Sequence, residues 1–182
     1  MSTVQLQPGD VFCAQGSGPL FAAIRMVQWI NSRDNEATYG HAALILDAAG
    51  TVLDTRWRVG RTHLDLYQGQ QVMIARPVDW VSRCGVISGP ISESTKKLCL
   101  TAIETTCRGK WYPVHRLFLH LVPPVARLLH IGRWQVCSER VAAYLQAIGA
   151  RPKPVGGVTP DMLADEWRRW RNFQIIFEGV WE

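Results

Sequence analysis

The sequence predicts one α+β domain in which antiparallel strands come first and helices follow. The first half is rich in strand-like segments, and the clearest two, 41–47 and 51–57, flank the short turn 48–50, which ends in a glycine. The second half has apolar residues mainly at helical spacing. With 182 residues, the chain is long enough to bury a core as a single domain. This order favours α+β over a doubly wound sheet, in which strands and helices alternate.

Outside the hairpin, the first half predicts two further strands and a helix. A first strand is expected over 4–12, beside a Pro-Gly-Asp turn, and another over 72–77, which ends at a proline. Between the first strand and the hairpin, 19–30 carries apolar residues at helical spacing and predicts a helix. The polar stretch 31–38 predicts a loop.

Helices dominate the predicted structure beyond residue 90. They are expected over 92–107, 113–133, 138–148 and 159–170, with an edge strand over 173–177. A serine, Ser92 or Ser94, is expected to cap the first of these helices. The segment 113–133 mixes bulky apolar residues with His and Arg, and Pro123-Pro124 divides it. We therefore interpret it as a basic-apolar insertion of two short helices within the single domain 1–182.

The net charge of +5 restricts the classes of partner. The basic residues fall into short groups, and no zinc-finger spacing or other nucleic-acid motif is present, so we expect no nucleic-acid partner. An anionic cell-wall polymer or membrane surface suits this charge.

The first residues lack the regions of a secretory signal, and no apolar stretch of about 18 residues occurs. We expect either a cytoplasmic protein or one that is delivered in a virion or secreted by a non-standard route.

The cysteine and histidine patterns argue against a metal site or a disulfide framework. The five cysteines are an odd number and include no C-x-x-C pair. The histidines show neither H-x-x-x-H nor H-E-x-x-H spacing. We therefore expect no metal and no cofactor, and at least one free thiol.

Cys137 is the candidate nucleophile among the five cysteines. It precedes the strongly helical segment 138–148, and the N–H groups in the first turn of a helix have no intrahelical partners. Such groups favour a thiolate, and they can bind the oxyanion that forms when a thiolate attacks a carbonyl. The other four cysteines fall near strand ends or on and near a predicted core helix, where a cysteine usually serves as a small buried hydrophobe.

His41 is the candidate base, and Asp54 is its candidate partner. With a two-residue turn at 48–49, position 43 faces Asp54, so His41 and Asp54 are diagonal neighbours on one face of the sheet. Asp54 then accepts from one ring nitrogen while the other nitrogen faces the thiol. A one-residue slip would place Thr55 on that face instead. A structural role for His41 is the alternative.

Five short motifs, taken in their order along the chain, resemble a known family. They are Gly9-Asp10, Tyr39-Gly40-His41-Ala-Ala-Leu-Ile-Leu, Val52-Leu53-Asp54, Gly109-Lys-Trp-Tyr112 and Val136-Cys137-Ser138-Glu139. The pattern resembles the circularly permuted branch of the NlpC-type papain-like hydrolases, which includes the YiiX/YaeF-like and lecithin–retinol acyltransferase-like proteins. In that branch the histidine precedes the cysteine, as it does here. The likeness spans about residues 8–165.

The resemblance implies a permuted papain-like (NlpC-type) fold, with an antiparallel sheet packed against the helix that bears the nucleophile. It implies that Cys137 attacks the substrate, that His41 acts as base and then as acid, and that Asp54 orients His41. Family members often carry Glu, His, Asn or Gln at the third position, so Asp54 is a departure. Three further residues are expected as substrate or oxyanion contacts: Tyr112, Ser138 and Tyr39.

The function that these expectations favour is a cysteine hydrolase, an amidase or endopeptidase acting through a thioester on Cys137. Its substrate is expected to be a peptide or acyl group, with cell-wall peptidoglycan and delivery by a phage tail or a secretion system as the first hypothesis. A lipid-directed acyltransferase or thioesterase is one alternative, which the segment 113–133 supports. Another is a non-catalytic structural or binding module of a larger assembly such as a phage tail, since the eight Trp suit an interface.

Overall fold

The fold is α+β, as predicted, in a computed structural model that describes residues 4–31, 37–55, 58–82, 84–111 and 136–182. The strands are β1 Val11–Ala14, β2 His41–Ile45, β3 Thr51–Thr55, β4 Val59–His63, β5 Gln71–Pro77, β6 Asp79–Val81, β7 Ile87–Pro90 and β8 Phe173–Val180. The helices are α1 Pro19–Asn31, α2 Glu93–Cys107, α3 Cys137–Ala147 and α4 Pro160–Arg169, with a 3₁₀ helix over Leu64–Tyr67. The expected insertion at 113–133 and Tyr112 lie outside the described residues.

One six-stranded antiparallel sheet organises the molecule. Its strand order is β4-β3-β2-β1-β5-β8, and β6 and β7 form a separate two-stranded ribbon. The predicted hairpin is β2–β3, with Leu44 opposite Leu53, which is the predicted register. The predicted edge strand is β8, although it continues beyond the expected end at 177 to Val180.

The prediction for the first half of the chain was incomplete: it made the first strand too long and omitted β4, β6 and β7. The first strand was expected over 4–12 but begins only at Val11, because residues 7–10 form a turn: the Asp10 carboxylate accepts the N–H of Gln7 and pairs with Arg76. Strand β4 was not predicted at all. It pairs with β3 along its whole length, so this edge of the sheet is set by tertiary pairing and not by an obvious strand pattern.

Both faces of the sheet are covered. Helix α3 packs on one face, and α2 and α4 pack against α3. The first face and α3 share a core that includes Cys13, Ala42, Leu44, Leu53, Val141 and Tyr144. The second face buries Phe12, Ala43, Ile45, Val52, Leu64, Tyr67 and Ile74. His41 and Asp54 belong to this second face because side chains alternate along a strand.

Local capping chemistry explains where the helices start and stop. The Ser92 hydroxyl accepts the Thr95 N–H at the start of α2, and the Thr159 hydroxyl accepts the Met162 N–H at the start of α4. Helix α3 ends just before Gly149, whose φ of +76° favours glycine. None of the helices in the described ranges combines the length and the apolar character that crossing a bilayer requires.

Candidate active site

Cys137 is the first residue of α3, which begins one residue before the predicted helix 138–148, and only 4% of it is exposed. The preceding Val136 offers no side-chain acceptor that could cap the helix. The Glu139 carboxylate instead accepts the N–H of Val136 at 3.2 Å and that of Gly157 at 3.0 Å, which ties the helix start to the loop before α4. The N–H of Ser138 in the first turn has no intrahelical partner and lowers the pKa of the Cys137 thiol.

Ser138 takes part in the site through its backbone. Its hydroxyl is buried and donates to the carbonyl oxygen of Val158 at 2.6 Å. This hydrogen bond also links α3 to the loop before α4. Any contact that Ser138 makes with an oxyanion is therefore expected from its N–H group and not from its hydroxyl.

His41 stands at the first position of β2, and the glycine before it permits that placement. A Cβ on Gly40 would lie 2.9 Å from the carbonyl oxygen of Gln15 and 3.1 Å from that of Phe21. The bare backbone at Gly40 also donates its N–H to Ala14 at 3.0 Å. The close approach brings α1 against the site, and the Phe21 ring lies edge-on to the His41 imidazole with centroids 5.3 Å apart. His41 is completely buried.

Asp54 holds one nitrogen of the His41 ring. Nε2 of His41 lies 2.6 Å from Oδ1 of Asp54. The register with Leu44 opposite Leu53 places residue 43 opposite Asp54, so the diagonal relation predicted for His41 and Asp54 is confirmed. Nδ1 is buried and has no partner of regular hydrogen-bond geometry among the described residues.

The second oxygen of Asp54 is bound by side chains that the sequence did not single out. The Tyr67 hydroxyl donates to Oδ2 at 2.9 Å, and the Thr62 hydroxyl donates to it at 3.3 Å. The Tyr67 ring also stacks on His41, with centroids 5.8 Å apart and an angle of 10° between the planes. Tyr67 lies in a 3₁₀ helix beyond the unpredicted β4, so no spacing rule connected it with Asp54.

Charge and hydrogen bonding shift the pKa values of His41 and Cys137 in opposite directions. Burial lowers the pKa of His41, but the charge and hydrogen bond of Asp54, followed by Cys137, outweigh it and raise that pKa to about 10. Burial raises the pKa of the Cys137 thiol, but His41 and the N–H groups of Ala42 and Ser138 outweigh it and leave that pKa below its usual value. Since Nε2 is engaged by Asp54, Nδ1 is the ring nitrogen left to act on Cys137. The two groups therefore shift each other's pKa in opposite directions, the thiol downward and the imidazole upward.

The two remaining predicted contacts are tyrosines, and only one is described. Tyr39 precedes the Gly40-His41 pair and has a buried ring in the core beneath α3. Its hydroxyl lies 3.5 Å from Oε1 of Glu178, and burial together with the Glu178 charge raises the pKa of Tyr39 to about 12. Its backbone N–H donates to Asp161 at 2.9 Å. Tyr112 lies outside the described residues, and its expected role stays a prediction.

Sequence comparisons do not assign this chain to a known family. No family model matches the chain. A search of curated proteins found no significant match to the sequence.

Within the described part of the chain, no three His, Cys, Asp or Glu side chains are grouped so that they could hold a metal ion.

Proposed function

We propose that the protein is a cysteine hydrolase with a permuted papain-like fold, in which Cys137 is the nucleophile, His41 the acid and base, and Asp54 the residue that orients His41. One observation carries the proposal. The buried His41 ring is bound through Nε2 to Asp54, and its other nitrogen is left for a thiol whose pKa is lowered. A nucleophile, a base and a group that orients the base are the three parts that covalent catalysis of this kind requires.

The reaction follows from these three parts. The Cys137 thiolate attacks the carbonyl carbon of an amide or ester, and the N–H of Ser138 at the helix start is the donor proposed for the oxyanion. The His41 imidazolium gives its proton to the leaving amine or alcohol, so the C–N or C–O bond breaks and a thioester remains. The now neutral His41 takes a proton from water, and the hydroxide attacks the thioester. The carboxylic acid leaves, and the thiolate and imidazolium are restored.

Peptides of the bacterial cell wall are the first substrates to test. The resemblance to NlpC-type enzymes and the net charge of +5, which suits an anionic polymer, both point to them. Delivery in a phage tail or by a secretion system belongs to the same hypothesis. Purified protein is to be assayed on peptidoglycan peptides and on acyl esters.

The decisive variant is Cys137→Ala, with Cys13→Ala as its matched control. Both cysteines are buried, but only Cys137 is assigned a role in catalysis. We expect Cys137→Ala to lose at least about 10³-fold in turnover, because the thioester can no longer form, and Cys13→Ala to keep its activity. Undiminished turnover in Cys137→Ala would contradict the proposal. A Cys137 thiol that is inert to alkylation near neutral pH would favour the non-catalytic module of a larger assembly.

A lipid-directed acyltransferase or thioesterase is the second candidate, and an exposed apolar surface on α1 favours it. Met26 is 62% exposed and Trp29 is 52% exposed, three residues apart on one side of the helix whose Phe21 packs on His41. An amphipathic membrane interface suits such side chains. Co-sedimentation with anionic vesicles tests this candidate, with Met26→Glu as the comparison variant. Wild-type protein that stays in the supernatant removes the lipid hypothesis and leaves the cell-wall hypothesis.

A further inference from the structure

Tyr67 contacts two members of the proposed catalytic group at once. Its hydroxyl donates to Oδ2 of Asp54 at 2.9 Å, and its ring lies nearly parallel to the His41 imidazole, with an interplanar angle of 10°. The ring is itself held by Phe12, which meets it edge-on at a centroid distance of 5.1 Å. Tyr67 is 1% exposed, so these contacts are shielded from water.

The hydroxyl of Tyr67 acts on the orientation of Asp54. His41 binds Oδ1 and Tyr67 binds Oδ2, so donors on both oxygens oppose rotation of the carboxylate away from the imidazole. Asp54 is 1% exposed, and a buried carboxylate needs donors to remain ionised. A hydrogen bond to a charged group contributes more than one between neutral groups. Thr62 also donates to Oδ2, but its distance of 3.3 Å is longer.

The ring of Tyr67 acts on His41 directly. The Tyr67 ring lies flat against the His41 imidazole and restricts the rotation of that imidazole. The Phe21 and Phe12 rings contact the imidazole edge-on, with interplanar angles of 73° and 70°. The face of an aromatic ring also attracts a cation, and this attraction grows when water is excluded. A protonated His41 is therefore stabilised relative to a neutral one.

We propose that Tyr67 is a positioning residue of this site, which holds the Asp54 carboxylate by its hydroxyl and the His41 imidazolium by its ring; the inference rests on the proposed function. Tyr67 touches neither the Cys137 sulfur nor the substrate in this proposal. It acts on Cys137 only through His41. A tyrosine that merely filled the core would act through its ring alone, and the loss of its hydroxyl would leave the thiol unaffected.

The test is the pH profile of Cys137 alkylation by iodoacetamide, followed peptide by peptide with mass spectrometry. The variants are Tyr67→Phe, which keeps the ring, and Tyr67→Leu, which removes both contacts. Tyr144→Phe is the matched control, because this buried tyrosine of α3 has a hydroxyl without a hydrogen-bond partner in the described part of the chain. Besides His41, the thiol of Cys13 on β1 interacts electrostatically with Cys137, and the buried Arg140 of α3 donates to the Thr55 hydroxyl beside Asp54; no variant alters either group. Thermal unfolding establishes that each variant is folded.

We expect alkylation of Cys137 at neutral pH to slow about tenfold in Tyr67→Phe and about a hundredfold in Tyr67→Leu, with the midpoint of the profile moving toward higher pH. Tyr144→Phe is expected to follow the wild-type profile. A Tyr67→Phe profile that coincides with those of the wild type and Tyr144→Phe overturns the role of Tyr67 and leaves the proposed function standing. A wild-type midpoint at or above that of an ordinary thiol overturns the proposed function itself.

Discussion

Two buried cysteines on the same side of the sheet show what separates the proposed nucleophile from a core residue. Cys13 lies on β1, directly opposite Ala42 on β2, and Cys137 opens α3, which packs over β2. Both are less than 5% exposed, and burial raises the pKa of both thiols. The net result is opposite, since the pKa of Cys13 stands well above its usual value and that of Cys137 below it.

The difference lies in the groups that face each sulfur. The Cys13 thiol donates to the carbonyl oxygen of Pro160 at 3.4 Å, and the neighbouring charge of Asp161 further disfavours a thiolate. The described groups that lower the pKa of Cys137 are donors: the imidazole of His41 and the N–H groups of Ala42 and Ser138. Burial alone thus raises the pKa of a thiol, whereas a neighbouring imidazole and N–H donors lower the pKa of a buried one.

Removal of His41 is expected to have the largest effect on the difference between the Cys13 and Cys137 thiols. In His41→Ala, burial of Cys137 is opposed only by the two N–H groups, so the pKa of the thiol rises toward that of Cys13. We expect hydrolysis of p-nitrophenyl acetate to fall by about 10³-fold or more. His63→Ala is the control, since His63 is exposed and binds the carbonyl oxygen of Ala49, and its activity is expected to be unchanged. Equal losses in both variants would contradict the assignment of His41.

Neutralisation of Asp54 is expected to have a smaller effect of the same sign. In Asp54→Asn, the charge that raises the pKa of His41 is gone and burial, which lowers that pKa, prevails. The imidazolium is then lost at neutral pH, the pKa of Cys137 rises, and hydrolysis falls by about 10²-fold. In the wild type, alkylation of Cys137 should decline at a lower pH than that of an ordinary thiol, because the thiolate is paired with an imidazolium. In Asp54→Asn it should decline like that of an ordinary thiol.

Asp10→Asn is the matched control for Asp54→Asn. Asp10 is also 1% exposed, but it pairs with Arg76 in the turn before β1. Its loss is expected to lower the free energy of unfolding by about 1–3 kcal/mol and to leave the Cys137 alkylation profile in place. Urea unfolding and peptide-level alkylation measure the two quantities. Retention of the wild-type alkylation profile in Asp54→Asn would contradict the proposed effect of the Asp54 carboxylate on the Cys137 thiol.

The smallest expected effect comes from Cys84, which is exposed. The Ser82 hydroxyl lowers the pKa of this thiol, so Cys84 should react readily with alkylating reagents. Cys84→Ser is nevertheless expected to hydrolyse p-nitrophenyl acetate at the wild-type rate, because Cys84 has no base assigned to it. A clear loss of hydrolysis would mean that thiol reactivity and catalysis were assigned to the wrong cysteine.

Local patterns in the sequence predicted the parts of the site that depend on short-range structure. The glycine-containing turn predicted the β2–β3 register, and that register places His41 and Asp54 on one face. The start of α3 at Cys137 follows from the helical pattern of the residues after it. The late start of β1 and the whole of β4 escaped the same reasoning, because a turn and a pairing partner decided them.

The sequence by itself determined the order of His41, Asp54 and Cys137, the hairpin that joins the first two and the helix that begins at the third. These depend on turn length, side-chain alternation and helix propensity, which act over a few residues. Only the tertiary structure decided that Tyr67 holds Asp54 and that Cys13 and Cys137 differ in thiol pKa. Both depend on which groups from distant segments meet in a buried space, where a single donor or charge has its greatest effect.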